Sequence, residues 1–151
     1  MRLTRFSDIG LRVLIYLARA GERPVPVTVA EIASQFDVPA NHLVKVVGQL
    51  GRHGWIQATR GRNGGLRLHA DPAALKIGAV LRKLEGEDEL ADCGARSCQL
   101  SPDCILRDAL AEGLRAFYDA MDRYTLADIT KGSTGQKVVR MHRAFIQRLA
   151  S

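Results

Sequence analysis

Cysteine is scarce in this chain of 151 residues: there are three, Cys93, Cys98 and Cys104, all inside the stretch CGARSCQLSPDC. Three thiols are one too many for a disulfide and one too few for a full set of cysteine ligands. Aromatic residues make up only 5% of the chain, with a single tryptophan, which leaves aliphatic side chains to build the core. Long apolar runs are missing as well. Arg2, Arg5, Asp8 and Arg12 interrupt the first stretch, which excludes a signal-peptide apolar region there, and no later run approaches the length of a membrane span. A soluble, cytoplasmic protein with no membrane partner is therefore expected. Its length suits one domain, or a small domain with an appended helical segment. In a reducing cytosol, clustered cysteines favour metal ligation or reactive thiols over disulfides. No nucleophile–base constellation or phosphate-binding glycine loop is visible, so an enzyme is not expected.

Charge is present but uneven. The net charge is +6, and residues 1–84 alone carry +8, residues 85–108 carry −5 and residues 109–151 carry +3. A basic N-terminal half points to a polyanion, and the acidic cysteine segment points to a cation or metal-containing ligand.

The periodicity places helices and strands around this charge. LTRFSDIGLRVLIYLARAGE reads as a helix capped by Thr4, with Phe6, Val13, Leu14 and Leu17 on its apolar face. TVAE fits a capping box, with Thr28 accepting from the backbone of Glu31 and the Glu31 carboxylate reaching back. That short helix ends near Phe36, and Asp37, Val38 and Pro39 turn the chain into ANHLVKVVGQLGRHG. Here Leu43, Val46, Val47 and Leu50 fall at helical spacing and Gly54 supplies a left-handed end. Two helices joined by a short turn make a helix-turn-helix. WIQATRGRNGGLRLHA alternates around RGRNGG, where Asn63, Gly64 and Gly65 offer the positive φ angles of a hairpin turn. The predicted fold is thus mainly α: a winged helix-turn-helix with a two-stranded wing, a cysteine loop and a long dimerisation helix.

After the wing, Asp71 and Pro72 are expected to cap and open a returning helix. Ser101 and Pro102 do the same for a helix of ~30 Å at ~1.5 Å per residue. Its apolar stripe is Leu106, Leu110, Leu114, Phe117, Met121 and Tyr124, which a second copy of the chain would cover. In the tail, KGSTGQ has a flexible-linker composition and KVVRMHRAFIQRLAS is weakly amphipathic and basic, with no function assigned. The expected organisation is residues 1–84 as the DNA-binding domain, 85–104 as the cofactor loop, 105–130 as the dimerisation helix and 131–151 as a tail.

A winged helix lays its second helix in the major groove of double-stranded DNA while the wing follows the backbone or minor groove. The exposed side chains of that helix are predicted to be Asn41, His42, Lys45, Gln49 and Arg52, offering amides for base edges and cations for phosphates. Arg60, Arg62 and Asn63 form the wing tip, and Thr28 is a further phosphate contact. For the cysteines, a disulfide with a spare thiol, structural zinc, inert thiols and an iron–sulfur cluster are all conceivable. Zinc knuckles place two cysteines two residues apart, and none here are so close. Spacing leaves zinc and a cluster open and tilts toward the cluster.

Over roughly the first 130 positions, these motifs resemble the iron–sulfur winged-helix repressors that include the nitric-oxide sensor NsrR and the cluster-assembly regulator IscR. LTRFSDIGLRVLIYLA resembles the family's opening helix, NHLVKVVGQLGRHGWI its recognition helix and TRGRNGGLRL its wing. The resemblance implies a homodimer joined through the long helix, which represses promoters until its cluster is altered. Cys93, Cys98 and Cys104 then stand at the ligand positions. IscR-like members have a wider first cysteine gap and a histidine three residues after the third cysteine; here the gaps are four and five residues and that position is Arg107, which matches NsrR instead. Arginine cannot ligate iron. None of the four histidines lies in the loop, so the resemblance points to an oxygen ligand. Asp8 stands where similar sensors carry one that reaches the partner subunit's cluster; its competing role is an ion pair with Arg12. The carboxylates Glu85, Glu87, Asp88, Glu89, Asp92 and Asp103 are the other candidates. The implied cofactor is a 4Fe-4S cluster, with 2Fe-2S as the alternative, and the implied signal is nitric oxide.

Overall fold

Thr4 is extended and its hydroxyl accepts from the Ser7 amide, so α1 (Arg5–Ala18) starts where its sequence places the cap. Thr28 likewise accepts from Glu31 N to open α2 (Val29–Phe36), and Asp37, left-handed at φ 51°, closes it. Pro39 leads into α3 (Ala40–Arg52), and Gly54 at φ 72° turns the chain out of it. The wing is β1 (Ile56–Thr59) paired antiparallel with β2 (Gly65–Leu68), Ile56 opposite Leu68 and Thr59 opposite Gly65. There follow α4 (Ile77–Glu85), α5 (Ile105–Met121), α6 (Leu126–Ile129) and α7 (Gly132–Ala150). This computed structural model describes residues 2–86, 90, 98, 100 and 103–151. The predicted winged helix is the observed one.

The core lies between α1, α3 and α4. Val13, Leu14, Leu43, Val46, Leu50 and Val80 have no exposed surface, and Ile32 and Leu81 have almost none. Each fully buried aliphatic side chain contributes about 1.5–3 kcal/mol, so these residues dominate the stability of the helix-turn-helix. Leu66 joins the wing to this core, its amide donating to Val27 O at 2.7 Å.

Several elements differ from their sequence-based boundaries. The positive φ of the wing turn is at Gly61 (105°), not at Asn63, Gly64 or Gly65. Gly65 is required for a different reason: a Cβ there would lie 2.6 Å from Pro26 Cβ and Val27 O, so it permits the close approach that seats the wing. Asp71 caps only a turn, accepting from Ala73 N at 2.8 Å, and α4 begins at Ile77. α5 starts at Ile105 with Cys104 as its cap residue and stops at Met121, short of Tyr124. It stops because the chain is recruited elsewhere: Asp122 accepts from Ala79 N and Arg82 Nη1 at 2.9 and 2.7 Å, and Tyr124 O accepts from Ile77 N at 2.9 Å. The proposed opening residues Ser101 and Pro102 lie outside the described residues. Finally, KGSTGQ is no linker. Lys131 caps α7, and Gly135, Val138 and His142 on one face of that helix are buried.

Candidate nucleic-acid interface and cysteine segment

On α3 the buried face takes Leu43, Val46, Val47 and Leu50, which leaves Asn41, Lys45 and Arg52 exposed and His42 and Gln49 half-buried. Thr28 is exposed at the start of α2, and Arg60, Arg62 and Asn63 are exposed at the wing tip. The predicted contact residues are thus accessible. Their polar groups are already organised in part: Asn41 Oδ1 accepts from His42 N at 2.9 Å, and Gln49 bridges Arg52 and His53 through its carbonyl and amide. Val44 was not among the sequence-predicted contacts. It is 57% exposed, one turn from Asn41 and beside Lys45, and its methyl groups are suited to a thymine methyl. An exposed valine on an otherwise regular amphipathic helix was the available signal.

The cysteine segment is the opposite case. Cys98 is an exposed free thiol and Cys104 a half-exposed one, while Cys93, Glu87, Asp88, Glu89 and Asp92 lie outside the described residues. Cys104 occupies the cap position of α5 without any side-chain cap bond, at the helix end whose free amides and dipole favour anionic groups. Cys104 and the exposed Cys98 are accessible sulfur ligands of the soft kind that an iron–sulfur group takes. Among the described residues, no three His, Cys, Asp or Glu side chains gather into a metal-binding group.

Asp8 and Glu85 have partners within the chain. Asp8 forms a two-point ion pair with Arg12, Oδ1 to Nε at 3.0 Å and Oδ2 to Nη2 at 2.9 Å, with both side chains about half exposed. Glu85 Oε1 accepts from Thr4 N and Thr4 Oγ1 at 2.9 and 3.2 Å. That bond ties the last residue of α4, where the cysteine segment begins, to the first turn of α1. Asp103 is exposed.

Behind the helix-turn-helix is a polar cluster that the sequence did not disclose. The Glu31 carboxylate does not return to Thr28 as a capping box would have it. It is buried, accepting from Tyr16 Oη at 2.7 Å and from Arg23 Nη1 and Nη2 at 2.6 and 2.9 Å. His142 of α7 completes the cluster, with Nε2 2.9 Å from Tyr16 O and Nδ1 2.8 Å from Arg23 Nη1. Burial and the Glu31 carboxylate raise the Tyr16 hydroxyl above the usual tyrosine range. Burial, assisted by the Arg23 charge, lowers His142 below the usual histidine value, against the opposing effect of Tyr16 O and Glu31.

Residues 3–132 match the model of the Rrf2 family, described as iron-dependent transcriptional regulators. The structure is similar to that of CymR from Staphylococcus aureus in its oxidized form, at 26% identity and TM-score 0.67, covering 87% of this chain and 98% of that one. Two more distant structures share the fold. CymR of B. subtilis, the global cysteine regulator of that organism, is 23% identical with TM-score 0.67 over 85% of this chain and 95% of that one. IscR of T. potens is 22% identical with TM-score 0.66 over 85% of each chain.

Proposed function

The chain belongs to the Rrf2 family of transcriptional regulators, and on that premise we propose that it is a nitric-oxide-sensing repressor that binds palindromic promoter DNA as a homodimer. The observation that carries this reading is the pairing, in one chain, of an accessible recognition face and wing with two accessible free thiols, Cys98 and, at the head of α5, Cys104. Cys93, Cys98 and Cys104 would hold an iron–sulfur cluster, of the 4Fe-4S type or alternatively 2Fe-2S, and such a cluster supplies iron that nitric oxide attacks. Asp8 of the partner subunit would be the fourth and weaker ligand, because a carboxylate holds iron less firmly than a thiolate. Loss of that contact would loosen the two chains against each other, so that their recognition helices would no longer match the spacing of the two half-sites and the promoter would be released.

Val44, Asn41, Lys45 and Arg52 read the major groove, and Arg60, Arg62 and Asn63 the flanking backbone or minor groove. A second reading, regulation by redox state or cluster supply, is favoured by the exposure of Cys98. Anaerobic purification with visible absorption and iron, sulfide and zinc analysis, followed by nitric-oxide titration of a DNA complex, separates the two. A colourless zinc protein, or a cluster whose reaction with nitric oxide leaves the DNA complex intact, defeats the first reading.

A further inference from the structure

His142 sits in α7, beyond the part of the chain that the family model matches. Its hydrogen bonds define its chemical state. Tyr16 O can only accept, so His142 Nε2 carries the hydrogen; Arg23 Nη1 can only donate, so His142 Nδ1 carries none. The ring is therefore the neutral Nε2–H tautomer, stacked on Tyr16 with centroids 3.9 Å apart and nearly inaccessible to water.

Three elements face this ring: α1 through Tyr16, the connection after α1 through Arg23, and α2 through Glu31. A second proton on Nδ1 would point at the Arg23 guanidinium. Glu31 Oε1, 3.8 Å from Nδ1, already accepts from Tyr16 and Arg23. The pocket is thus built for the uncharged ring. Glu31 also lies in the first turn of α2, three residues after Thr28, and α2 packs on α3, the second helix of the helix-turn-helix. The seat of α7 and the start of the helix-turn-helix share the same buried carboxylate.

We propose that His142 is a positioning residue for DNA binding: as the neutral tautomer it fastens α7 to α1 and α2, and its protonation frees α7 and loosens the α2–α3 pair. This rests on the DNA-binding reading only for its last step. Because the folded state disfavours the charged ring, the stabilising effect is complete above the ordinary histidine value of 6.5 and is lost as pH falls below it.

Histidine ring NMR and amide exchange of the full chain, followed from about pH 7.5 to about pH 5, test the fastening. Exchange rates corrected for intrinsic pH dependence should rise in α7 with the same midpoint as the His142 ring signal. Protection that persists through that titration overturns the proposal. Binding of a duplex selected by the protein from random sequence tests the consequence. Relative to His142→Gln, which keeps a donor and an acceptor but does not titrate, wild type should lose roughly tenfold in affinity across this range. Identical pH profiles in the two proteins overturn the positioning role. Should the variant fail to fold, coincidence of the two wild-type midpoints still decides. No binding at any pH would defeat the DNA-binding reading instead, while the exchange experiment continues to report on the latch.

Discussion

Leu14, Leu43 and Leu50 have no exposed surface, whereas Ile105 and Leu106, at the head of α5, are 84% and 64% exposed. The same kind of side chain is finished in one region and left open in the other. The helix-turn-helix covers its aliphatic residues with its own helices and even compensates a buried carboxylate, Glu31, with Tyr16 and Arg23. The segment around Cys98 and Cys104 presents free thiols, and Leu100 beside them is 68% exposed. One region needs nothing outside the chain. The other leaves Ile105, Leu106 and two thiols open to water, and the proposed metal group and second chain are partners from which such groups gain.

The strongest way to break that contrast is inside the self-sufficient region. Glu31→Ala leaves the Arg23 guanidinium buried without its carboxylate, and removing one partner of such a pair costs about 3–5 kcal/mol. Chemical denaturation should show that loss. A change below about 1 kcal/mol would mean that the cluster behind the helix-turn-helix is far less buried in solution than its 5% and 0% side-chain exposures indicate.

In the open region the expected effect falls on association rather than folding. Ile105→Asp places a charge on an exposed position, so the unfolding of a single chain should shift by less than about 0.5 kcal/mol. If α5 is the dimer seam, the same change should weaken self-association by about 2 kcal/mol or more, visible as a shift to monomer in sedimentation at low concentration. Unaltered sedimentation would remove Ile105 from the interface.

Val44 stands between the two regions: it belongs to a completed helix but is left uncovered. Val44→Ala should leave folding intact and weaken DNA binding by about 1 kcal/mol, the value of one or two methyl contacts. Replacing thymine by uracil along the site locates the partner. A position where the loss of the methyl group and the loss of Val44 do not add is the contact.

How legible each region was follows from how local its determinants are. Thr4, Thr28, Phe36 and Gly54 were readable as boundaries because a cap is decided by the few residues around it. The aliphatic face of α3 was readable because its spacing repeats. Nonlocal competition defeated the rest. Glu31 was drawn from its capping box by Tyr16 and Arg23, and Asp122 ended α5 because α4 supplied Ala79 N and Arg82. Gly65 looked like a turn residue and is there because Pro26 and Val27 come too close for a side chain. His142 looked like part of an unassigned tail, since its partners lie more than a hundred residues earlier. For the cysteine segment, spacing leaves zinc and a cluster open, the resemblance proposes Cys93, Cys98 and Cys104 as ligands, and a proposed fourth ligand from a partner chain is something no local pattern encodes.

Asp8 combines a small stability effect with the sharpest test of that proposed dependence. Its pair with Arg12 is an i, i+4 contact about half exposed to water, so Asp8→Ala should cost only about 0.3–0.5 kcal/mol in unfolding of the cluster-free protein. If Asp8 is only Arg12's partner, Arg12→Ala has the same small cost and neither change alters the absorption of the cluster-loaded protein. If Asp8 is the oxygen ligand, Asp8→Ala alone changes that absorption or lowers iron retention, and Arg12→Ala, by freeing the carboxylate, does not lower it. The Thr4–Glu85 bond ties α1's first turn to the end of α4 in the same chain, and mixed dimers decide which chain's Asp8 is used. One chain carries Asp8→Ala and the other Cys98→Ala. Ligation across the subunits leaves the cysteine-intact site with its carboxylate and iron is held as in wild type; ligation within a chain leaves that site without one and iron is lost.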